Sequence, residues 1–181
     1  MSKKKNKSDR LLKAISFSAR AHQGQFRRDK VTPYVSHPFR VCMILRHTFG
    51  VKDEKVLMAA VLHDTIEDTT TDFDDIKEEF GKDVAVWVAW LSKDMRESQA
   101  RREKQYIDRL RNAPDTVKLA KLADIYDNLS DAVNGSSRRQ LEKTLNHTAQ
   151  YLKALSSGRK SLALKRAFGI VLALREKIGH T

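Results

Sequence analysis

Apolar residues recur every three or four positions in one segment after another along this chain, which is the spacing of a helix face and not of a strand. Residues 9–23 carry Leu11, Leu12, Ile15 and Ala19 on that spacing, and Gly24 follows as a stop. Residues 24–36 hold Gly24, Pro33 and several charges and read as a loop. It leads to His37-Pro38, where a second helix begins with proline in its first turn and presents Val41, Ile44, Leu45 and Thr48 before Gly50. Asp53 caps a third helix whose apolar face is Val56, Leu57, Ala60 and Val61, and this helix runs into His63 and Asp64. Thr71-Asp72 opens the next, with Phe73, Ile76 and Phe80 before Gly81. The pattern predicts a helix over 82–93 with Val84, Val88 and Leu91 on one face, and a polar helix over 97–111.

Pro114 opens a longer helix with Leu119, Leu122, Tyr126, Leu129 and Val133 along one face and Gly135 at its end. Two further helices, over 138–155 and 160–178, flank a Ser156-Ser157-Gly158 turn. No segment alternates with period two between hairpin turns, and no repeat shows at about 20–50 residues. The fold class expected is all-α and single-domain. Residues 1–8 form a disordered basic tail, 9–134 the helical core, and the helices of 138–178 an accessory layer.

Composition narrows the classes. A chain of 181 residues, 40% of them hydrophobic, is one domain, long enough to bury roughly 70% of the surface its unfolded form exposes. Only 7 Gly, 3 Pro and the single Cys42 exclude collagen-like and disulfide-framed proteins. No apolar run approaches the roughly 20 residues of a membrane span, and the Lys-rich start is followed by an amphipathic stretch instead of a signal core. A soluble, cytoplasmic protein is expected, with Cys42 a buried small hydrophobe.

With 35 Lys and Arg against 23 Asp and Glu, the net charge of +12 attracts polyanions. Its distribution speaks against nucleic acid: Lys3, Lys4, Lys5 and Lys7 precede any acid, and the remainder is scattered in pairs such as Arg27-Arg28, Arg138-Arg139 and Arg159-Lys160. There is no zinc-finger spacing and no stripe of interleaved aromatic and basic residues. A solvated basic surface or a phosphorylated small ligand accounts for the excess. The sequence does not fix the oligomeric state, and a homo-oligomer is among the states open to it.

Two placements of polar residues stand out. Val61-Leu62-His63-Asp64-Thr65-Ile66-Glu67-Asp68 sets one imidazole and three carboxylates directly after an apolar run. That is costly without a compensating positive charge. If one helix continues through Asp68, His63 and Glu67 share a stripe and Asp64 and Asp68 the next. A solvated helix end or a hydrogen-bonded core histidine is the plainer account. The second placement is Asp124, flanked by Ala123 and Ile125 in mid-helix, with Asn128 and Asp131 on its stripe. A salt bridge to a nearby Lys or Arg would explain it alone. With His37-Pro38 added, two imidazoles and two carboxylates stand at three helix positions, a set that suits one divalent metal with open positions.

His37, His63-Asp64 and the distal Asp124 resemble the H…HD…D signature of the HD-domain metal-dependent phosphohydrolases. Four local stretches narrow the likeness: Ala21-His22-Gln23-Gly24-Gln25-Phe26-Arg27-Arg28, Pro33-Tyr34-Val35-Ser36-His37-Pro38, Leu62 through Thr69, and Lys121-Leu122-Ala123-Asp124 through Asn128-Leu129. In this order, over residues 10–134, they resemble the hydrolase domain of RelA/SpoT-type alarmone enzymes, in a small stand-alone form. The resemblance implies an HD-domain bundle of eight or nine helices. It implies removal of the 3′-pyrophosphate of guanosine tetra- or pentaphosphate with one manganese ion as cofactor, as in the stringent response. His37, His63, Asp64 and Asp124 would bind the metal, and Glu67 and Asp68 would handle the attacking water and its proton. Asn128 would contact the nucleotide, and Arg27 with Arg28 would hold base and phosphates. The chain departs from the family after Asp124, where Ile125-Tyr126-Asp127 loses basic positions and gains an acid. A different phosphorylated nucleotide, such as NADPH, and a catalytically inactive basic binding module are the competing readings. His22, His47, His147 and His180 are expected to be structural or surface residues.

Overall fold

Every residue from Val56 to Leu62 is buried, so beyond the exposed Lys55 of its first turn the helix that carries them has no solvent face. The expected one-sided apolar stripe is corrected here: Met58, Ala59 and Leu62 are as buried as Val56, Leu57, Ala60 and Val61, because neighbours pack on every side. In the computed structural model, which describes residues 7–133, 137–158 and 161–179, this is α3 (Glu54–Leu62). Side chains are described from residue 9. Residues 1–6 of the expected tail, Gly135, the Arg159-Lys160 pair and His180 lie outside the described residues, and the expected bound at residue 8 is corrected, because Lys7 and Ser8 already form the first turn of a helix.

The remaining helices are α1 (Lys7–Ala21), α2 (Ser36–Met43), α4 (Thr65–Asp68), α5 (Phe73–Phe80), α6 (Lys82–Leu91), α7 (Gln99–Arg111), α8 (Asp115–Val133), α9 (Arg138–Leu155) and α10 (Leu162–Gly179). A π-helical turn over Ile44–Thr48 extends α2, and among the described residues there is no strand, only an isolated bridge between Phe26 and Pro33. The all-α expectation stands, and counting the single-turn α4 with α3 gives nine helices among the described residues. Asp53 caps α3 through its carboxylate, and Asp72 with Asp75 forms a capping box on α5.

α3 contacts α1, α2, α6 and α8, which places it at the centre. α8 is the second axis, packed against α2, α3, α6, α9 and α10. Its buried stripe runs Leu122, Ile125, Leu129 and Ala132, whereas Tyr126 is half-buried and Val133 is 53% exposed. The predicted face therefore holds at Leu119, Leu122 and Leu129 and fails at Val133, where the stripe turns onto Ala132.

The last two helices lock onto α8 by a different device. Lys118 is buried, and its ammonium donates to the Arg111 carbonyl at 2.9 Å and the Ser157 carbonyl at 2.6 Å, filling acceptors left open near the ends of α7 and α9. Leu164, Ala167 and Val171 of α10 are fully buried, and burying each Leu or Val contributes about 1.5–3 kcal/mol. Cys42 is buried as expected, and burial pushes its thiol up to about 11, which leaves it unreactive at neutral pH.

Candidate metal centre and substrate groove

The two central helices meet at polar residues. α3 stops at Leu62, and His63 and Asp64 form a break before the separate turn α4. One helix through Asp68, with His63 and Glu67 on a common stripe, is therefore not what forms. His63 Nδ1 bonds the Ala60 carbonyl at 2.8 Å, which folds the ring back along α3, while Thr65 Oγ1 donates to Leu62 O at 2.7 Å and leads into α4. The break lets His63 and Asp64 face α2 and α8 together.

His37, in the first turn of α2, donates from Nδ1 to Asp127 Oδ2 at 2.6 Å. Both rings are thereby fixed with Nε2 turned to the same space. His37 Nε2 lies 3.1 Å from Asp124 Oδ1 and 3.6 Å from Asp64 Oδ2. His63 Nε2 lies 3.1 Å from Asp64 Oδ2 and 3.9 Å from Asp124 Oδ1, yet it is buried without a hydrogen bond of acceptable geometry. Donor atoms of His37, His63 and Asp124 all fall within 4.8 Å of one another. With each Nδ1 carrying its proton, two imidazole lone pairs face carboxylate oxygens, and only a cation or extra protons relieve that opposition. The donor set of nitrogen and oxygen fits a divalent transition metal.

Electrostatics report the same strain. His37 is pushed up to about 9: burial acts against the charged ring, and the bonds to Asp124 and Asp127 outweigh it. His63 is raised for the corresponding reason, burial opposing and Asp64 prevailing. Asp124 is held well below the usual carboxylate range, since Lys121 and the imidazoles overcome its burial. Lys121 Nζ bonds Asp124 Oδ2 at 2.8 Å and sits over the rings of Tyr106 and Tyr151, 5.1 and 4.5 Å from their centroids. Asn128 Nδ2 donates to Asp124 Oδ1 at 2.6 Å. The ordinary salt bridge and the metal reading of Asp124 thus coexist: one oxygen takes Lys121, the other turns to the imidazoles.

The buried cluster opens into a groove of about 260 Å³ lined by residues of the Arg27–Tyr34 loop, α4, α8 and α9. Glu67 accepts the Lys93 amide at 2.9 Å, and the Lys93 ammonium bridges toward Glu103 at 3.4 Å. Asp68 faces Tyr34 Oη at 3.3 Å, and its carboxyl is pushed up to about 6 by burial and by Asp64 and Glu67. Arg27 donates to Asp131 at 2.8 Å and to Asn128 at 3.5 Å, while Arg28 lines the groove from an exposed position. All nine residues singled out in the sequence line this groove.

Sequence reasoning missed several partners. Asp127 accepts from His37 and, at 2.6 Å, from Arg40 Nε, so it fixes the His37 ring from the side away from Asp124. Tyr34 donates to Asp64 at 2.6 Å. The gained acid at Asp127, three residues after Asp124, was the visible signal for the first; nothing in the pattern marked the second. His22 is buried against Tyr34 and bonded to Gln25, and His47 is exposed, as expected. His147 lines the groove without joining the cluster.

The HD domain family model matches residues 14–155. The mouse guanosine-3′,5′-bis(diphosphate) 3′-pyrophosphohydrolase MESH1 is 36% identical over 165 residues, covering 87% of this chain and 92% of that protein. The bifunctional (p)ppGpp synthase/hydrolase SpoT of Escherichia coli is 38% identical over 128 residues, which are 66% of this chain and 18% of SpoT. A solved metazoan ortholog of SpoT, described as hydrolyzing ppGpp and playing a role in starvation responses, superposes with a TM-score of 0.81 at 28% identity, covering 92% of this chain and 95% of that one.

Proposed function

The chain belongs to the HD-domain family, and from that premise we propose that it hydrolyses the 3′-pyrophosphate of guanosine 3′,5′-bis(diphosphate) or its pentaphosphate, with manganese as the metal. The observation that carries the proposal is the convergence of His37, His63 and Asp124 within 4.8 Å at the buried end of a groove lined with cations. His37, His63, Asp64 and Asp124 would hold the ion. A divalent ion bound there supplies a water of lowered pKa and polarises a phosphoryl oxygen.

The chain's own residues divide the rest. Glu67 keeps Oε2 on the Lys93 amide, and Oε1, 3.9 Å from the Lys93 ammonium and short of a hydrogen bond to it, would take a proton from the attacking water. Asp68, with its carboxyl pushed up to about 6, exchanges a proton near neutral pH and suits the leaving pyrophosphate. Arg27 and Arg28 stand where the nucleotide would lie, a fork for phosphate oxygens and a flat face for a purine. Asn128 contributes twice, orienting Asp124 and presenting its amide to the groove.

Among the described residues no helix is long and apolar enough to cross a membrane, and the proposed setting is the cytoplasm. The test is a nucleotide panel with the purified protein and Mn²⁺, scoring pyrophosphate against orthophosphate. Pyrophosphate from guanosine tetraphosphate supports the assignment. Orthophosphate from other nucleotides, with guanosine tetraphosphate untouched, would replace it with a different phosphohydrolase, and metal-independent, salt-sensitive nucleic-acid binding without turnover would replace it with a binding module.

A further inference from the structure

One ammonium in the groove wall stands between two carboxylates. Lys93 Nζ lies 3.4 Å from Glu103 Oε2 and 3.9 Å from Glu67 Oε1. A shift of about 1 Å toward Glu67 would bring it to charge-assisted hydrogen-bond distance from that oxygen. Oε2 of Glu67 already accepts the Lys93 amide, so Oε1 is the oxygen left for the attacking water. A carboxylate whose free oxygen is taken by an ammonium loses both its open acceptor and part of its affinity for a proton.

Several contacts hold the ammonium back. Glu103, on α7, accepts the Tyr151 hydroxyl at Oε1, which leaves Oε2 for Lys93. Burial works against the Glu103 charge, but the Tyr151 hydroxyl and the Lys93 ammonium prevail and keep its carboxyl below the usual range. The backbone at Lys93 is fixed too: the Arg109 guanidinium donates to the Ser92 carbonyl, and Ser92 Oγ donates to Val88 O at 2.9 Å. The ammonium itself sits 5.3 Å from the centroid of the Tyr106 ring. Tyr151, on α9, serves both ends of the groove. Its ring lies 4.5 Å from the ammonium of Lys121, which holds Asp124, and its hydroxyl holds the acid that restrains Lys93. Lys93 and Tyr151 line the groove, whereas Glu103, which joins them, does not.

Resting on the reading of Glu67 as general base, we infer that Glu103 and Tyr151 are positioning residues: they keep the Lys93 ammonium off Glu67 and so leave its Oε1 open to the attacking water. Among the described residues α9 adds no member to the metal cluster, yet through Tyr151 and Glu103 it governs the state of the base. Glu103 stands outside the groove lining, and a free Oε1 matters only when the proton moves. The effect therefore falls on kcat and not on KM.

The experiment is a set of double-mutant cycles with guanosine 3′,5′-bis(diphosphate) and Mn²⁺. Glu103→Gln is close in size and can keep the Tyr151 bond through its amide oxygen. It should lower kcat about tenfold, with KM and metal content within about twofold of wild type. Made in Lys93→Met protein, which keeps the backbone amide on Glu67 but lacks the ammonium, the same substitution should lower kcat less than about twofold, and likewise in Glu67→Gln protein. Tyr151→Phe keeps the ring beside Lys121 and removes only the hydroxyl, and it should lower kcat about threefold, again only where the Lys93 ammonium is present. A contact that merely tied α7 to α9 would cost the same in every background. An equal loss with and without the Lys93 ammonium, or no loss in Glu103→Gln, overturns the positioning role and leaves the proposed activity standing. A wild-type protein that releases no pyrophosphate overturns the activity and the positioning role together.

Discussion

Asp124 and Arg28 sit at opposite ends of one groove and are treated in opposite ways. Asp124 is buried and held by Lys121 and Asn128, one on each oxygen, so its carboxylate has one orientation available. Arg28 is exposed and held by nothing described. The difference matches the ligands proposed for each end. A small hard ion demands fixed donors within tenths of an ångström, and a buried polar network supplies them. A polyanion is large and hydrated, and long solvated cations adjust to it at little cost.

The sharpest way to break that contrast is at the fixed end. Asp124→Ala should abolish metal retention, read by elemental analysis after gel filtration, and take turnover to background. It also leaves the Lys121 ammonium buried without its acid, which should lower stability by about 3–5 kcal/mol. Metal retained at wild-type stoichiometry would mean that the cluster is not the binding site. Glu67→Gln comes next: Gln can still accept the Lys93 amide and gives up only the 3.9 Å pairing with the Lys93 ammonium, so metal content should hold while kcat falls about 10²–10⁴-fold. A loss of metal in parallel with turnover would move Glu67 into the ligand set.

How much of this the sequence revealed follows from the range over which each feature is determined. The helices over 138–155 and after Pro114, the capping at Asp53 and Asp72, and the stop at Gly81 depend on neighbours within a turn, and they are found where the pattern puts them. The burial of α3 on all sides and the exposure of Val133 depend on which helices pack around them, which local periodicity does not contain. At the site, His37, His63-Asp64 and Asp124 were visible because burying them in an apolar run is costly. Tyr34 and Lys121 were quoted within recognisable stretches but given no task, since their partners are distant in sequence or depend on side-chain direction. Asp127 was seen only as an oddity. Its meaning rests on a contact with His37 across 90 positions.

Asp127 gives the next test, smaller than those at Asp124 and Glu67 because it acts through another residue. Asp127→Asn keeps the shape and weakens the charge that orients the His37 ring, so Mn²⁺ affinity measured by calorimetry should fall about 10–100-fold. Turnover should recover when metal is supplied in excess. An unchanged affinity would show that the Arg40 to Asp127 pair only ties α2 to α8.

At the open end the same size of change should do almost nothing. Lys30 is the only described non-glycine residue with a positive φ, at 60°, in the tight turn where the Arg27 amide donates to Thr32 O at 2.8 Å and the Lys30 amide to Arg27 O at 2.9 Å. Lys30→Gly relieves a left-handed conformation that costs a side chain about 1–2 kcal/mol, and it loosens the unfolded chain by about 0.4–1 kcal/mol in the other direction. The first term outweighs the second by about 0.8 kcal/mol, so the melting temperature should rise by no more than about 3 °C. The turn already draws its shape from Asp29 and the backbone, so Arg27 stays on Asp131 and KM for guanosine tetraphosphate should change less than about twofold. A tenfold rise in KM would erase the contrast between the two ends, because the loop carrying Arg27 and Arg28 would then need as exact a geometry as the carboxylate of Asp124.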